Sequence, residues 1–126
     1  MPHQQILVKV NAPVDEGIAE VVTALNDIPG LYTTDSCEGL ENGQGFVWFR
    51  YQGTLHESAD FLVWLGREVA TARGVRLMAE WGGGATEPTL RFELRVAHRE
   101  IKDLAARLRE LGPYPERRGV LVAGHA

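Results

Sequence analysis

The sequence predicts an α+β fold in the order βαββαββα: a mixed, mostly antiparallel sheet with its helices packed on one face. Three observations predict it. β-rich runs come in hairpin-like pairs, and a single amphipathic stretch separates each pair from the next. Leu90 to Val96 alternates strictly, with Leu90, Phe92, Leu94 and Val96 turned inward and Arg91, Glu93 and Arg95 outward, the pattern of a half-buried antiparallel strand. Ile101, Leu104, Ala105, Leu108 and Leu111 recur at the spacing of one helix face.

Taken in order, Ile6 to Val10 (I-L-V-K-V) is a β-branched run that reads as a buried strand. Asn11-Ala12-Pro13 breaks it. Pro13 suits the first position of a helix, with Asp15 and Glu16 near its positive end and Ile18, Val21, Val22 and Leu25 as its apolar stripe. Pro29-Gly30 ends that helix. Leu31 to Ser36 is a strand by composition, followed by a turn over Glu41 to Gly45. Phe46 to Tyr51 (F-V-W-F-R-Y) is the strongest strand; aromatic on both faces, it is expected to be central or covered on both sides. Thr54-Leu55-His56-Glu57 matches a capping box and opens a helix that runs through Phe61, Leu62, Trp64, Leu65 and Val69 to a stop at Gly74. Val75 to Trp81 alternates, with Val75, Leu77, Ala79 and Trp81 inward, and Gly82-Gly83-Gly84 leads on to the Leu90 strand. The last helix ends at Gly112-Pro113. Residues 113–126 form a C-terminal tail whose apolar run from Gly119 to Ala123 is a candidate edge strand.

At 126 residues the chain, 1–126, is expected to be one domain. One cysteine, Cys37, excludes an intramolecular disulfide and a Cys-only zinc site. No apolar run approaches the ~18 residues of a membrane span, and M-P-H-Q-Q lacks the basic start of a signal peptide, so the expected location is the cytoplasm, with no membrane partner. Thirteen basic against seventeen acidic residues give a net charge of −4, which disfavours binding to duplex nucleic acid in general. Eleven of the thirteen bases are arginine, the better bidentate partner for phosphate or carboxylate. The outward row Arg76, Glu80, Arg91, Glu93 and Arg95 reads as cross-strand charge pairs, with an anion site or a dimer interface as alternatives.

The segment richest in chemistry is Leu31 to Leu40 (L-Y-T-T-D-S-C-E-G-L). Thr33, Thr34, Asp35, Ser36, Cys37, Glu38 and Gly39 bring hydroxyls, carboxylates and exposed amides to the end of a strand, where ligands are often received. The plainer reading is a polar strand-to-turn transition with one small buried cysteine. Asp35 and Glu38 disfavour a Cys37 thiolate, so a nucleophilic role is not expected. Asp35, Cys37, Glu38 and His56 lack any recognised metal spacing. His56 is the histidine placed to approach the segment, and Trp81 is a candidate for stacking on an aromatic ligand there, against the plainer reading of core packing.

Thr33-Thr34-x-Ser36-Cys37-x-Gly39 resembles a strand of the wybutosine-synthesis tRNA methyltransferase family, which reads roughly T-T-S-S-C-S-G-R. Leu90-Arg91-Phe92-Glu93 is similar to a second sheet segment of that family, also followed by a helix. The resemblance implies an S-adenosylmethionine-dependent enzyme acting on tRNA. Asp35 and Glu38 stand where the family has small polar residues, and Leu40 where it has an arginine, which removes a phosphate or carboxylate contact.

The sequence thus supports three expectations. The first is a binding module, without a cofactor, for a small polar or nucleotide-like ligand at the Thr33–Gly39 strand end. The second is a tRNA methyltransferase-like enzyme using S-adenosylmethionine. The third is a homodimeric structural or interaction protein that buries one sheet face.

Overall fold

A computed structural model of the chain describes residues 5–7, 13–39, 43–83 and 88–111. Within them the chain runs β1 (Gln5–Leu7), β2 (Pro13–Asp15), a 3-10 turn (Glu16–Ile18), α1 (Ala19–Asn26), β3 (Leu31–Cys37) and β4 (Gln44–Tyr51). It continues through α2 (Leu55–Val69), β5 (Val75–Gly83), β6 (Pro88–Ala97), a second 3-10 turn (His98–Glu100) and α3 (Ile101–Arg109). This is the expected α+β class. The principal sheet has the order β3-β4-β6-β5, and each of its pairings is antiparallel.

Period-2 alternation sets which side chains go inside. On β4, Gly45, Val47, Phe49 and Tyr51 are buried; on β6, Phe92, Leu94 and Val96 are. They share one core with Val21, Val22 and Leu25 of α1, Phe61, Leu65 and Val69 of α2, and Leu104, Ala105 and Leu108 of α3. All three helices therefore bury their stripes against the same side of the sheet. Phe49 and Phe92 meet at 5.3 Å between ring centroids, and Tyr51 stacks on Phe61 at 4.2 Å. The capping box sets the start of α2: the Glu57 N–H donates to Thr54 Oγ1 at 3.1 Å, and the Thr54 N–H donates to Glu57 Oε1 at 2.7 Å.

β4 is central, as its aromatic content suggested, but its second face is covered differently from its first. Phe46 and Trp48 are half-buried there beneath arginines instead of a helix. The Arg91 guanidinium lies 3.9 Å above the Trp48 ring, and that of Arg95 lies 6.0 Å from Phe46.

Two expectations are corrected. The first strand is Gln5–Leu7, and it pairs with β2 in a separate two-stranded sheet; residues 8–10 of the expected strand lie outside the described residues. Pro13 does not open a helix. It belongs to β2, opposite Leu7, and helical structure starts after Asp15. The reason is a contact 23 residues away: the buried Asp15 carboxylate accepts the Glu38 N–H at 3.0 Å, which keeps Asp15 extended at φ −62° and ψ 134°. Leu40, Gly84, the expected stop at Gly112-Pro113 and the candidate edge strand Gly119–Ala123 lie outside the described residues.

Candidate functional site

The end of β3 does not turn its polar residues toward one point. Thr33 faces the helices: its N–H donates to Asn26 Oδ1 at 3.1 Å, and its Oγ1 accepts from Asn26 Nδ2 at 2.9 Å. The register then shifts between Thr33 and Asp35, a bulge that carries Thr34. Exposed Thr34 donates its hydroxyl to the Trp48 carbonyl at 3.3 Å. Asp35 is exposed opposite Trp48, and its Oδ1 accepts the Ser36 N–H at 2.9 Å. Ser36 lies opposite Val47 and Cys37 opposite Phe46, both half-buried, and Cys37 Sγ accepts the Gly39 N–H at 3.4 Å.

Glu38 is where the segment meets a hollow. Its Oε1 accepts the Gly17 N–H at 2.8 Å, and its carbonyl oxygen contacts His98 Nε2. With the Asp15 contact, these bonds clasp the strand end to the starts of α1 and α3. Between them opens a groove of about 390 Å³ lined by Glu16, Gly17, Glu20, Glu38, His98, Ile101 and Lys102. Three carboxylates face one ammonium there, over the apolar side chain of Ile101. Arg109 approaches Glu20 at 3.6 Å. Gly39, just past Glu38, has φ +80°, and a Cβ there would stand 1.7 Å from the Gln44 carbonyl oxygen. Only glycine lets the chain pass so close to β4 at this point.

Of the nine expected site residues, then, Glu38 alone lines the groove. His56 is exposed in the first turn of α2, beyond Tyr51, whereas Cys37 pairs with Phe46 at the other end of β4. Five residues of strand, on the order of 17 Å, separate those ends. Trp81 lies on β5, the edge opposite β3, about 14 Å away across three strand spacings. It keeps the inward parity read from the sequence, yet it is 63% exposed. The sequence marks Glu16 only as an acid at a helix start and does not single out Glu20, His98 and Lys102. Their signal was the i, i+4 spacing of each pair at the start of a helical segment. A second hollow of about 580 Å³, beside Arg73, Asp103, Arg107 and Glu110, has mixed charge and none of the expected residues. Among the described residues no three metal-ligating side chains converge, and no described helix is long and apolar enough to cross a membrane.

Four of the five residues of the outward charge row are paired within the sheet. Arg91 bonds Glu80, Arg95 bonds Glu93, and Trp48 Nε1 donates to Glu93 Oε1 at 2.8 Å. Burial alone would push the Glu93 carboxyl up. The hydrogen bonds from Arg95 and Trp48, with the Arg95 and Arg91 charges, outweigh it and hold the carboxyl below the usual glutamate range. A carboxyl depressed in the folded state stabilises the fold above its unfolded value of about 4.3, and that contribution is lost as pH falls through the folded value. Melting temperatures measured from roughly pH 5 down to pH 2 are expected to fall less steeply for Glu93→Gln than for the parent. Equal slopes would mean that the pairing carries no linkage.

Compared with known proteins, the chain matches no family model, no curated protein and no solved structure.

Proposed function

We propose that this chain is a binding module, and that the groove beside Glu38 receives a small polar ligand bearing a positively charged group. The observation that carries the reading is the charge of the groove: Glu16, Glu20 and Glu38 line it with one ammonium, that of Lys102, and the Arg109 guanidinium approaches Glu20 from beside it, which leaves carboxylates in excess by one. Such a field attracts an amine and repels a phosphate, which narrows the expected small polar or nucleotide-like ligand to its cationic members. The Ile101 side chain offers apolar contact to the rest of the ligand. Both sides of the groove are clasped to the strand end, at Gly17 and at His98, so the ligand would meet a largely preformed surface.

The test is a thermal-shift screen of free amino acids, primary amines, polyamines, adenosine monophosphate and S-adenosylmethionine, followed by calorimetry. A ligand present at about a hundred times its Kd stabilises by ~2.7 kcal/mol, a readily measured shift. Amine-bearing compounds are expected to raise Tm, the shift being lost in Glu16→Ala and Glu20→Ala and kept in Asp35→Ala, which lies outside the groove. A panel with no responder, or a response indifferent to both glutamates, would overturn the reading. Binding of S-adenosylmethionine that ignores both glutamates would favour the methyltransferase-like alternative in its place.

A further inference from the structure

The two edges of the principal sheet are treated differently. β3 carries a bulge at Thr34, a common way to blunt an edge against pairing. β5 has none. It pairs with β6 over nine consecutive positions without a register shift, and between Val75 and Trp81 it contains no proline and no lysine. Among the described residues no strand flanks its other side. The Ala97 N–H donates to the Gly74 carbonyl at 2.9 Å. Hydrogen-bonded pairs alternate along an antiparallel ladder, so the amides and carbonyls of Val75, Leu77, Ala79 and Trp81 turn away from β6, toward the open edge.

We infer that β5 pairs with β5 of a second copy of this chain, antiparallel about a two-fold axis at Met78, joining two four-stranded sheets into one. The occupant follows from self-complementarity. With Met78 opposite itself, Arg76 of each copy lies opposite Glu80 of the other, giving two ion pairs in which the Glu80 carboxylate is shared with Arg91 of its own chain. Val75 lies opposite Trp81, a β-branched and aromatic pair of the kind favoured across strands. Leu77 lies opposite Ala79, and the outward-turned backbone groups meet in both of these pairs. Arg76 and Glu80 then occupy non-hydrogen-bonded positions, where side chains approach most closely. Sliding the register by two residues in one direction puts Arg76 against Met78; sliding it by four sets Arg76 against itself. Such a contact is isologous, so it closes at two copies instead of propagating into a fibre. It also covers part of Trp81, which is 63% exposed in the single chain. The pairing leaves the groove beside Glu38 untouched, because that groove belongs to the opposite edge.

Charge reversal tests the register. In sedimentation velocity the parent is expected to run as a dimer. Arg76→Glu and Glu80→Arg should each run as a folded monomer, since like charges then face each other twice. The two changes together should restore the dimer. A second measurement does not depend on charge: in a Cys37→Ser background, Met78→Cys should cross-link to its own copy under mild oxidation. Arg76→Cys, whose copies stand roughly four residues apart along the ladder, should not. A folded parent that is monomeric at millimolar concentration, a dimer indifferent to either reversal, or equal cross-linking at both cysteines would each overturn the inference.

Discussion

Phe49→Ala is expected to lower the unfolding free energy by about 3–5 kcal/mol and Tm by roughly 10–20 °C. Phe49 sits on the central strand with no solvent exposure, its ring 5.3 Å from that of Phe92 on the neighbouring strand. Truncation removes the transfer free energy of the ring and leaves a cavity between two strands whose ladder resists collapse. Three helices close over the same core, so no single element can shift to fill the space without losing contacts elsewhere. A domain of this size holds roughly 5–15 kcal/mol in total, which makes this one substitution a large fraction of the whole. Urea denaturation measures it, with Val63→Ala as the comparison. Val63 is 53% exposed on α2 and should change stability by less than about 0.5 kcal/mol. Similar losses at the two positions would contradict the assignment of core and surface.

Gly39→Ala is expected to cost about 2–4 kcal/mol, against about 1 kcal/mol for Gly43→Ala. Gly39 follows β3 and Gly43 precedes β4, and the two have similar dihedrals, φ +80° and +70°. A side chain at either meets the left-handed penalty. What differs is the space. A Cβ at Gly43 meets nothing within 4 Å, whereas one at Gly39 would stand 1.7 Å from a backbone oxygen of Gln44. That oxygen belongs to a paired strand, so Gly39 must move, and with it the Glu38 carbonyl that contacts His98. The same denaturation measurement separates the two effects. Equal losses would show that dihedral strain alone is at work.

Much of this architecture is local, and local patterns are readable. Leu90 to Val96 alternates because one face of β6 is buried and the other carries paired charge. Thr54 and Glu57 announce a helix start because both halves of their bond lie within four residues. The errors arise where a distant residue decides. Nothing near Pro13 reveals that Asp15 will be buried against the Glu38 amide, so a favourable helix start is overridden by a contact formed across the fold. Trp81 obeys its alternation but lies at a sheet edge, and strand order is not written in period-2 patterning. The Leu31–Leu40 segment was legible as polar and as a strand end. How its residues divide was not. The bulge at Thr34 changes which side chains share a face, and it leaves Glu38 alone beside the groove.

One topological detail bears on how the molecule comes into being. β6 lies between β4 and β5, both of which precede it in the chain. A growing polypeptide that has emerged only as far as Gly83 owns two strands with a vacant slot between them, and Phe92, Leu94 and Val96 of β6, with the α3 residues Leu104, Ala105 and Leu108 that close the interior, have yet to be synthesised. The Trp48–Glu93 bond, spanning 45 residues, can form only once that slot is filled. Closure of the sheet is therefore a late event that depends on distant contacts. A ribosome-stalled series ending before β6 and beyond α3 would record it as a single abrupt gain of protease resistance.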